Sequence, residues 1–167
     1  MRSVSRCESD LARRLGDCLR ARQWSCAVAE SCTGGLLAAL ITSVSGSSQW
    51  FDRGFITYSN QAKRDMLHVP DEMLQKEGAV SEAVARTMAE GALLASTADI
   101  TVAITGIAGP DGGSIEKPVG LVCFAWSVRD RGTDALVRHF KGDRACVRSS
   151  AIAVAMKGLI SRSCLKA

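Results

Sequence analysis

The segment SCAVAESCTGGLLAALITSV, residues 25–44, contains a short apolar run, a turn of small polar residues and a longer apolar pattern in direct succession. The run at 25–29 has the length and composition of a buried β-strand. After the turn, apolar residues recur at the spacing of one buried helical face, at Leu36, Leu37, Leu40, Ile41 and Val44. A strand, a tight turn and a helix in this order are the repeating unit of α/β proteins.

The rest of the chain continues this alternation of strands and helices. Strands are predicted at 54–58, 99–105, 119–128 and 135–140, and a first helix at 9–22. Residues that commonly cap helices begin four further helical patterns, at Asn60, Asp71, Ser81 and Asp143. We therefore predict an α/β fold: a single three-layer α/β/α domain over 1–167 with a mixed, mainly five-stranded sheet. Residues 1–8 are expected to form a flexible N-terminal tail.

The composition favours a cytoplasmic domain that binds a small ligand. Of its 167 residues 47% are hydrophobic and 23% charged, yet no run approaches the roughly 20 apolar residues of a membrane span. The N-terminus lacks the apolar core of an export signal. The net charge of +4 is spread along the chain, and three Trp, four Phe and one Tyr offer few surfaces for stacking bases. We expect no membrane and no nucleic-acid partner.

The seven cysteines do not form a recognisable metal or disulfide pattern. Their number is odd, no C-x-x-C pair occurs, and only two histidines accompany them. We expect free thiols in a reducing cytoplasm and no metal site.

The turn AESCTGG, residues 29–35, has two interpretations that the motif alone leaves open. Its glycines could let backbone amides approach an anionic ligand, with Ser31 and Thr33 as hydroxyl donors. Alternatively, Ser31 or Thr33 only caps the helix while Gly34 and Gly35 allow close packing. A nucleophile elbow of the G-x-S-x-G type is not matched, because its first glycine is missing. Cys32 has no nearby histidine to act as its base.

The segment GSSQWFDRGFITYSNQAKRDML, residues 46–67, brings hydroxyls and an amine into one region of the chain. Lys63 lies three residues beyond the expected cap Asn60, so the helix dipole and Arg64 should disfavour its protonated form. A lysine that is partly neutral can accept a hydroxyl proton, which would make a nearby serine nucleophilic without histidine. The alternative is a solvated lysine and a serine that caps a turn.

Two further segments could bind a ligand. The glycine-rich ITGIAGPDGG, residues 104–113, follows a predicted strand and could expose amides to an oxyanion or phosphate, although such loops also occur without a ligand. It is not a P-loop, because no GK[ST] follows. In GDR, residues 142–144, an arginine suited to carboxylate or phosphate lies at a capped helix start.

These motifs occur in the order AESCTGG, GSSQWFDRGFITYSNQAK, GAVSE, ITGIAGPDGG, EKPVG and GDR, which closely resembles the CinA C-terminal domain family. The resemblance runs from about residue 28 to 144 and into the last helix. Stand-alone members of that family are nicotinamide-nucleotide amidases. The resemblance therefore implies hydrolysis of nicotinamide mononucleotide to nicotinic acid mononucleotide and ammonia, in pyridine-nucleotide salvage, without a cofactor.

The resemblance also implies roles for individual residues. Ser48, preferred to Ser47, is the expected nucleophile, Lys63 its general base, and Tyr58 the residue that orients them. Ser31 and Thr105 are expected to position the amide and stabilise its oxyanion. The remaining expected substrate-binding residues are Thr33, Gly34, Gly106 and Arg144. The expected partner is the nucleotide substrate, with a homo-oligomer possible.

Two alternatives to the amidase remain open at this point. One is a catalytically silent nucleotide-binding module of the same fold. The other is a DNA-associated protein, which the composition supports little.

Overall fold

A computed structural model describes the backbone of residues 6–164 and the side chains of residues 8–164. Within this range one five-stranded sheet has the order β2-β1-β3-β4-β5, with β1 parallel to β2 and β3, and with β4 and β5 antiparallel to their neighbours. The predicted mixed α/β sheet is thus confirmed. The strands are β1 (Cys26–Glu30), β2 (Phe51–Ile56), β3 (Ile100–Gly106), β4 (Leu121–Val128) and β5 (Gly132–His139).

Helices cover both faces of this sheet, as predicted for a three-layer arrangement. Side chains such as Leu37 and Val147 join one apolar core, and side chains such as Leu67 and Val84 join another on the opposite face. The second core is rich in alanine, which brings the longest helix of that face close to the strands. The helices are α1 (Arg6–Arg22), α2 (Leu36–Thr42), α3 (Asn60–Leu67), α4 (Asp71–Glu77), α5 (Glu82–Leu94) and α6 (Arg144–Cys164).

The predicted helix caps are partly confirmed. The side chains of Ser81 and Asp143 accept hydrogen bonds from the third residue after each, as expected of caps. The cap of α3 is Ser59, whose Oγ accepts from the Ala62 amide, and Asn60 is instead the first helical residue. Asp71 is likewise the first residue of α4 and not its cap.

The expected N-terminal tail is too long. Residues 6–8 already belong to α1, and residues 1–5 lie outside the described residues. Among the helices of the described chain, none is both long and apolar enough to cross a membrane.

The expectation that all cysteines are free is wrong. Helices α1 and α6 pack against each other, and Cys18 and Cys164 form a disulfide between them with their Cα atoms 5.3 Å apart. No local pattern indicated this pair, because 146 positions separate the two cysteines. Four other described cysteines are free: Cys26, Cys32, Cys123 and Cys146.

The parallel strands determine where the predicted motifs meet. The carboxyl ends of β1, β2 and β3 lie at one edge of the sheet, since Glu30 is paired with both Ile56 and Ile104. Beyond this pairing, the Ser31 amide donates to the Ile104 carbonyl (2.9 Å) and the Thr57 amide to the Glu30 carbonyl (2.8 Å). Ligands of open α/β sheets bind at this edge.

Candidate functional site

A cavity of about 290 Å³ opens at the carboxyl edge of the sheet. Segments that follow β1, β2 and β3 line it, together with the start of α6. The lining therefore includes six of the nine residues predicted for the site: Ser31, Tyr58, Lys63, Thr105, Gly106 and Arg144.

Lys63 is buried at the base of this cavity, with 1% of its surface exposed. Its Nζ donates to the Ser31 Oγ (3.0 Å) and to the Thr57 carbonyl oxygen (2.8 Å). Helix α3 holds the lysine in place through its buried Leu67 and its close contact with α5. A side chain at Gly91 of α5 would collide with the Leu67 carbonyl group.

Burial lowers the pKa of the Lys63 amine below its ordinary value, because the protonated form loses its hydration; the nearby Cys32 thiol opposes this shift. From the sequence we predicted a lowered pKa for Lys63, but for another reason, namely the helix dipole and the charge of Arg64. Arg64 is instead paired with Asp71. The predicted direction of the pKa shift is therefore confirmed, but its cause is burial.

The expected pair of Ser48 and Lys63 is not formed. Ser48 is exposed in the 3₁₀ turn Ser47–Gln49, before β2 begins, whereas Lys63 contacts the residue that follows the end of β2. A strand of six residues separates these positions by about 20 Å. Ser48 instead lines a separate depression at the opposite edge of the sheet, near Ser25 and Thr97. The hydroxyl that contacts Lys63 is that of Ser31.

Glu30 has a function that the sequence analysis missed. Its fully buried carboxylate accepts hydrogen bonds from the amides of Gly35 (3.0 Å), Leu37 (3.1 Å) and Ala38 (2.8 Å). The protein's own carboxylate thus occupies these three amides at the start of α2, so this part of the predicted anion cradle is not available to a ligand. The signal in the sequence was an acidic residue at the end of a buried strand, four positions before Gly34 and five before Gly35.

The remaining residues of the turn differ in how they face the cavity. Thr33 is buried, and its carbonyl oxygen accepts a hydrogen bond from Arg148 (2.7 Å). Gly34 is exposed in the left-handed region (φ 57°). Neither residue contributes to the cavity lining. Neither Ser31 nor Thr33 caps α2, whose cap position is Gly35.

Thr105 lines the cavity, but its hydroxyl proton is already used. Its Oγ1 donates to the Ala79 carbonyl oxygen (2.7 Å), so in this geometry it cannot also donate to an oxyanion, as the sequence analysis expected. Its oxygen lone pairs can still accept a hydrogen bond. Thr105 is therefore suited to contact an amide N–H group.

Tyr58 and Arg144 form the rim of the cavity. The guanidinium of Arg144 donates to the Tyr58 hydroxyl (2.9 Å) and to the Gly109 carbonyl oxygen (3.0 Å). Tyr58 is 60% exposed, and its described hydrogen bond is to Arg144 and not to Lys63 or a serine. The expectation that it orients the catalytic pair is not supported by these contacts.

The fold and the site define an α/β protein with a buried serine–lysine pair at the carboxyl edge of its sheet. Residues 8–163 match the family model of the CinA C-terminal domain, and the chain belongs to that family.

Relatives and solved structures of the same family cover nearly the whole chain. The protein is 53% identical to the nicotinamide-nucleotide amidohydrolase PncC of Escherichia coli K12 over 150 residues, 89% of this chain and 90% of that protein. It is 51% identical to the protein of the same name from Enterobacter agglomerans over 85% of this chain and 87% of that one. The structure of competence/damage inducible protein CihA from Agrobacterium tumefaciens superposes with a TM-score of 0.92 at 44% identity, over 96% of this chain and 98% of that one.

Proposed function

We propose that this protein hydrolyses the carboxamide of nicotinamide mononucleotide to nicotinic acid mononucleotide and ammonia, in pyridine-nucleotide salvage. Relatives that share about half of its residues over nearly their full length are named nicotinamide-nucleotide amidohydrolases. The observation that carries the proposal is the buried contact of the Lys63 Nζ with the Ser31 Oγ (3.0 Å). A base beside a hydroxyl is what an amidase without metal or histidine requires.

In the proposed reaction Ser31 is the nucleophile and Lys63 its general base. One N–H of neutral Lys63 donates to the Thr57 carbonyl oxygen. Its lone pair accepts the Ser31 hydroxyl proton as the Ser31 Oγ forms a bond to the carboxamide carbon. The resulting ammonium then protonates the leaving nitrogen, the C–N bond breaks, and ammonia departs. Water, deprotonated by the same amine, hydrolyses the acyl-enzyme and releases the carboxylic acid.

Backbone amides of the turn are the proposed donors to the oxyanion. Glu30 occupies three amides at the start of α2, and those of Gly34 and Leu36 donate to backbone carbonyls. Within the described turn this leaves the amides of Cys32 and Thr33, which directly follow the nucleophile, as in other nucleophile turns. Thr105 would accept a hydrogen bond from the carboxamide NH₂, a contact that the carboxylate product cannot make.

The test is ammonia release from nicotinamide mononucleotide in the presence of EDTA, with three single variants. We expect Ser31→Ala and Lys63→Met each to lower kcat by about 10³-fold or more, because the nucleophile or its base is lost. Ser48→Ala is the matched serine control and should stay within about twofold of the wild type, since its hydroxyl lies at the opposite edge of the sheet.

The outcomes separate the activity from the assignment of its residues. A wild-type protein that binds the nucleotide without releasing ammonia would identify a nucleotide-binding module instead of an enzyme. Normal turnover by Ser31→Ala, or its loss in Ser48→Ala, would refute the proposed nucleophile while leaving the amidase activity in place.

A further inference from the structure

Two arginines of α6 lie at or beside the candidate site: Arg144 lines the cavity, and Arg148 contacts the turn that follows β1. Arg144 and Arg148 are one helical turn apart and therefore project from the same face of the helix. The guanidinium of Arg144 contacts the Tyr58 hydroxyl. A Cβ atom placed on Gly34 would lie 3.6 Å from the Arg148 Nη2 and 3.9 Å from the Tyr58 ring. The two guanidinium groups and the tyrosine ring therefore form one continuous rim.

The positive charge of this rim is not neutralised by carboxylates of the described chain. Six arginines form ion pairs with aspartate or glutamate, and neither Arg144 nor Arg148 is among them: Arg13, Arg20, Arg53, Arg64, Arg86 and Arg162. Two acidic groups of the adjoining segments accept hydrogen bonds from backbone amides. Glu30 accepts three amides of α2, and Asp143 accepts the Cys146 amide.

Arg148 is only partly satisfied by the protein. Its Nη2 donates to the Thr33 carbonyl oxygen (2.7 Å), while its Nε is buried without a hydrogen-bond acceptor. A buried N–H donor without an acceptor costs free energy, and a nearby anion would offset this cost through its attraction to the guanidinium charge. The charge of Arg148 also acts on a residue that lines the cavity. Burial raises the pKa of Cys32 to about 11, and the positive charge of Arg148 partly opposes this increase.

The turn places no side chain at Gly34, the residue that lies between this arginine and Tyr58. Gly34 is exposed and has φ 57°, a conformation that other residues rarely adopt. Because it has no side chain, nothing projects from this position between Arg148 and Tyr58.

We propose that Arg148, together with Arg144, binds a phosphate monoester at the mouth of the cavity, and that this group is the phosphate of the nucleotide substrate. The inference rests on the proposed function. With the carboxamide at Ser31, at the base of the cavity, the phosphate end of the substrate would point toward this rim. A guanidinium presents paired N–H donors that match two phosphate oxygens, which makes arginine better suited to this contact than lysine.

The first experiment compares nicotinamide mononucleotide with nicotinamide riboside, which lacks the phosphate. We expect Arg148→Gln to lower kcat/KM for the nucleotide by roughly 10- to 100-fold, because charge-assisted hydrogen bonds are lost. For the riboside, kcat/KM of this variant should stay within about threefold of the wild-type value. Arg148→Lys should lie between these values for the nucleotide. The matched control is Arg138→Gln, which removes one exposed positive charge on β5 and should change neither substrate.

A purely structural role of Arg148 predicts a different result. If the side chain only holds the Thr33 carbonyl in place, Arg148→Gln would lower kcat/KM for both substrates by the same factor, and that outcome would overturn the proposal.

The second experiment does not depend on turnover. Binding of ribose 5-phosphate, measured by calorimetry, should weaken at least tenfold in Arg148→Gln and remain unchanged in Arg138→Gln. Failure of the wild type to bind ribose 5-phosphate, or equal binding by both variants, would overturn the phosphate site even if ammonia is released. If the wild type binds ribose 5-phosphate in a manner that depends on Arg148 but releases no ammonia, the proposed reaction is refuted and the phosphate site is retained. If the riboside is not hydrolysed, this binding experiment still tests whether Arg148 binds the phosphate.

Discussion

Replacing Lys63 by methionine should remove a specific dependence of stability on pH. The pKa of Lys63 is lowered from 10.5 by burial in the folded protein, whereas in the unfolded chain it returns to that ordinary value. Between the two pKa values the unfolded state carries one more proton on this residue than the folded state. The free energy of unfolding therefore rises with pH through this window, by at most about 1.4 kcal/mol per pH unit.

Buried thiols act in the opposite direction above their ordinary pKa of 9.0. Burial raises the pKa values of Cys32 and Cys123 to about 11, so the unfolded chain loses these protons first and stability falls with pH above 9. The measurement is therefore best made from pH 6 to 9, as the difference in unfolding free energy between the wild type and Lys63→Met in urea. This difference should increase with pH as the folded-state amine deprotonates.

A difference that stays constant from pH 6 to 9 would refute the argument. It would mean that Lys63 remains protonated in the folded protein across this range, so the amine could not accept the Ser31 proton near neutral pH. The same titration should appear in the wild-type pH–rate profile, in which kcat/KM rises as Lys63 loses its proton.

Glu30 and the disulfide give two further predictions that calorimetry can check. Glu30→Ala should lower the free energy of unfolding by about 2–4 kcal/mol, because three amides at the start of α2 lose their acceptor, and the melting temperature should fall by roughly 5–15 °C; an unchanged melting temperature would contradict this account. Reduction of the Cys18–Cys164 disulfide, which closes a loop of 146 positions, should destabilise the wild type by up to about 5 kcal/mol and have no effect on Cys18→Ser; equal responses of the two proteins would show that the bond does not contribute.

Local patterns were sufficient to predict most of the fold. The β1–α2 unit, the individual strands and the caps Ser81 and Asp143 can be recognised from residues close together in sequence. The disulfide between Cys18 and Cys164 depends on the packing of the first helix against the last, which no local pattern encodes.

The serine in contact with Lys63 is not the one that the family resemblance implied. Ser48 is 15 positions from Lys63, but β2 lies between them and carries them to opposite edges of the sheet. Ser31 is 32 positions from Lys63, and the parallel pairing of β1 with β2 brings both to the same edge. The predicted strand between Ser48 and Lys63 was itself the evidence against their contact.

The turn after β1 explains how one short segment supplies several components of the site. Consecutive side chains and carbonyls contact different elements: the Glu30 carboxylate the start of α2, the Ser31 hydroxyl Lys63 of α3, and the Thr33 carbonyl Arg148 of α6. Because Glu30 satisfies three amides of α2 internally, these amides are not free to bind a ligand's negative charge, which in our proposal is bound by the amides next to Ser31 and by the two arginines of α6. In the proposed reaction the amine that accepts the proton is buried, whereas the guanidinium groups proposed to bind phosphate lie nearer the surface, so that proton transfer and phosphate binding are separated in space.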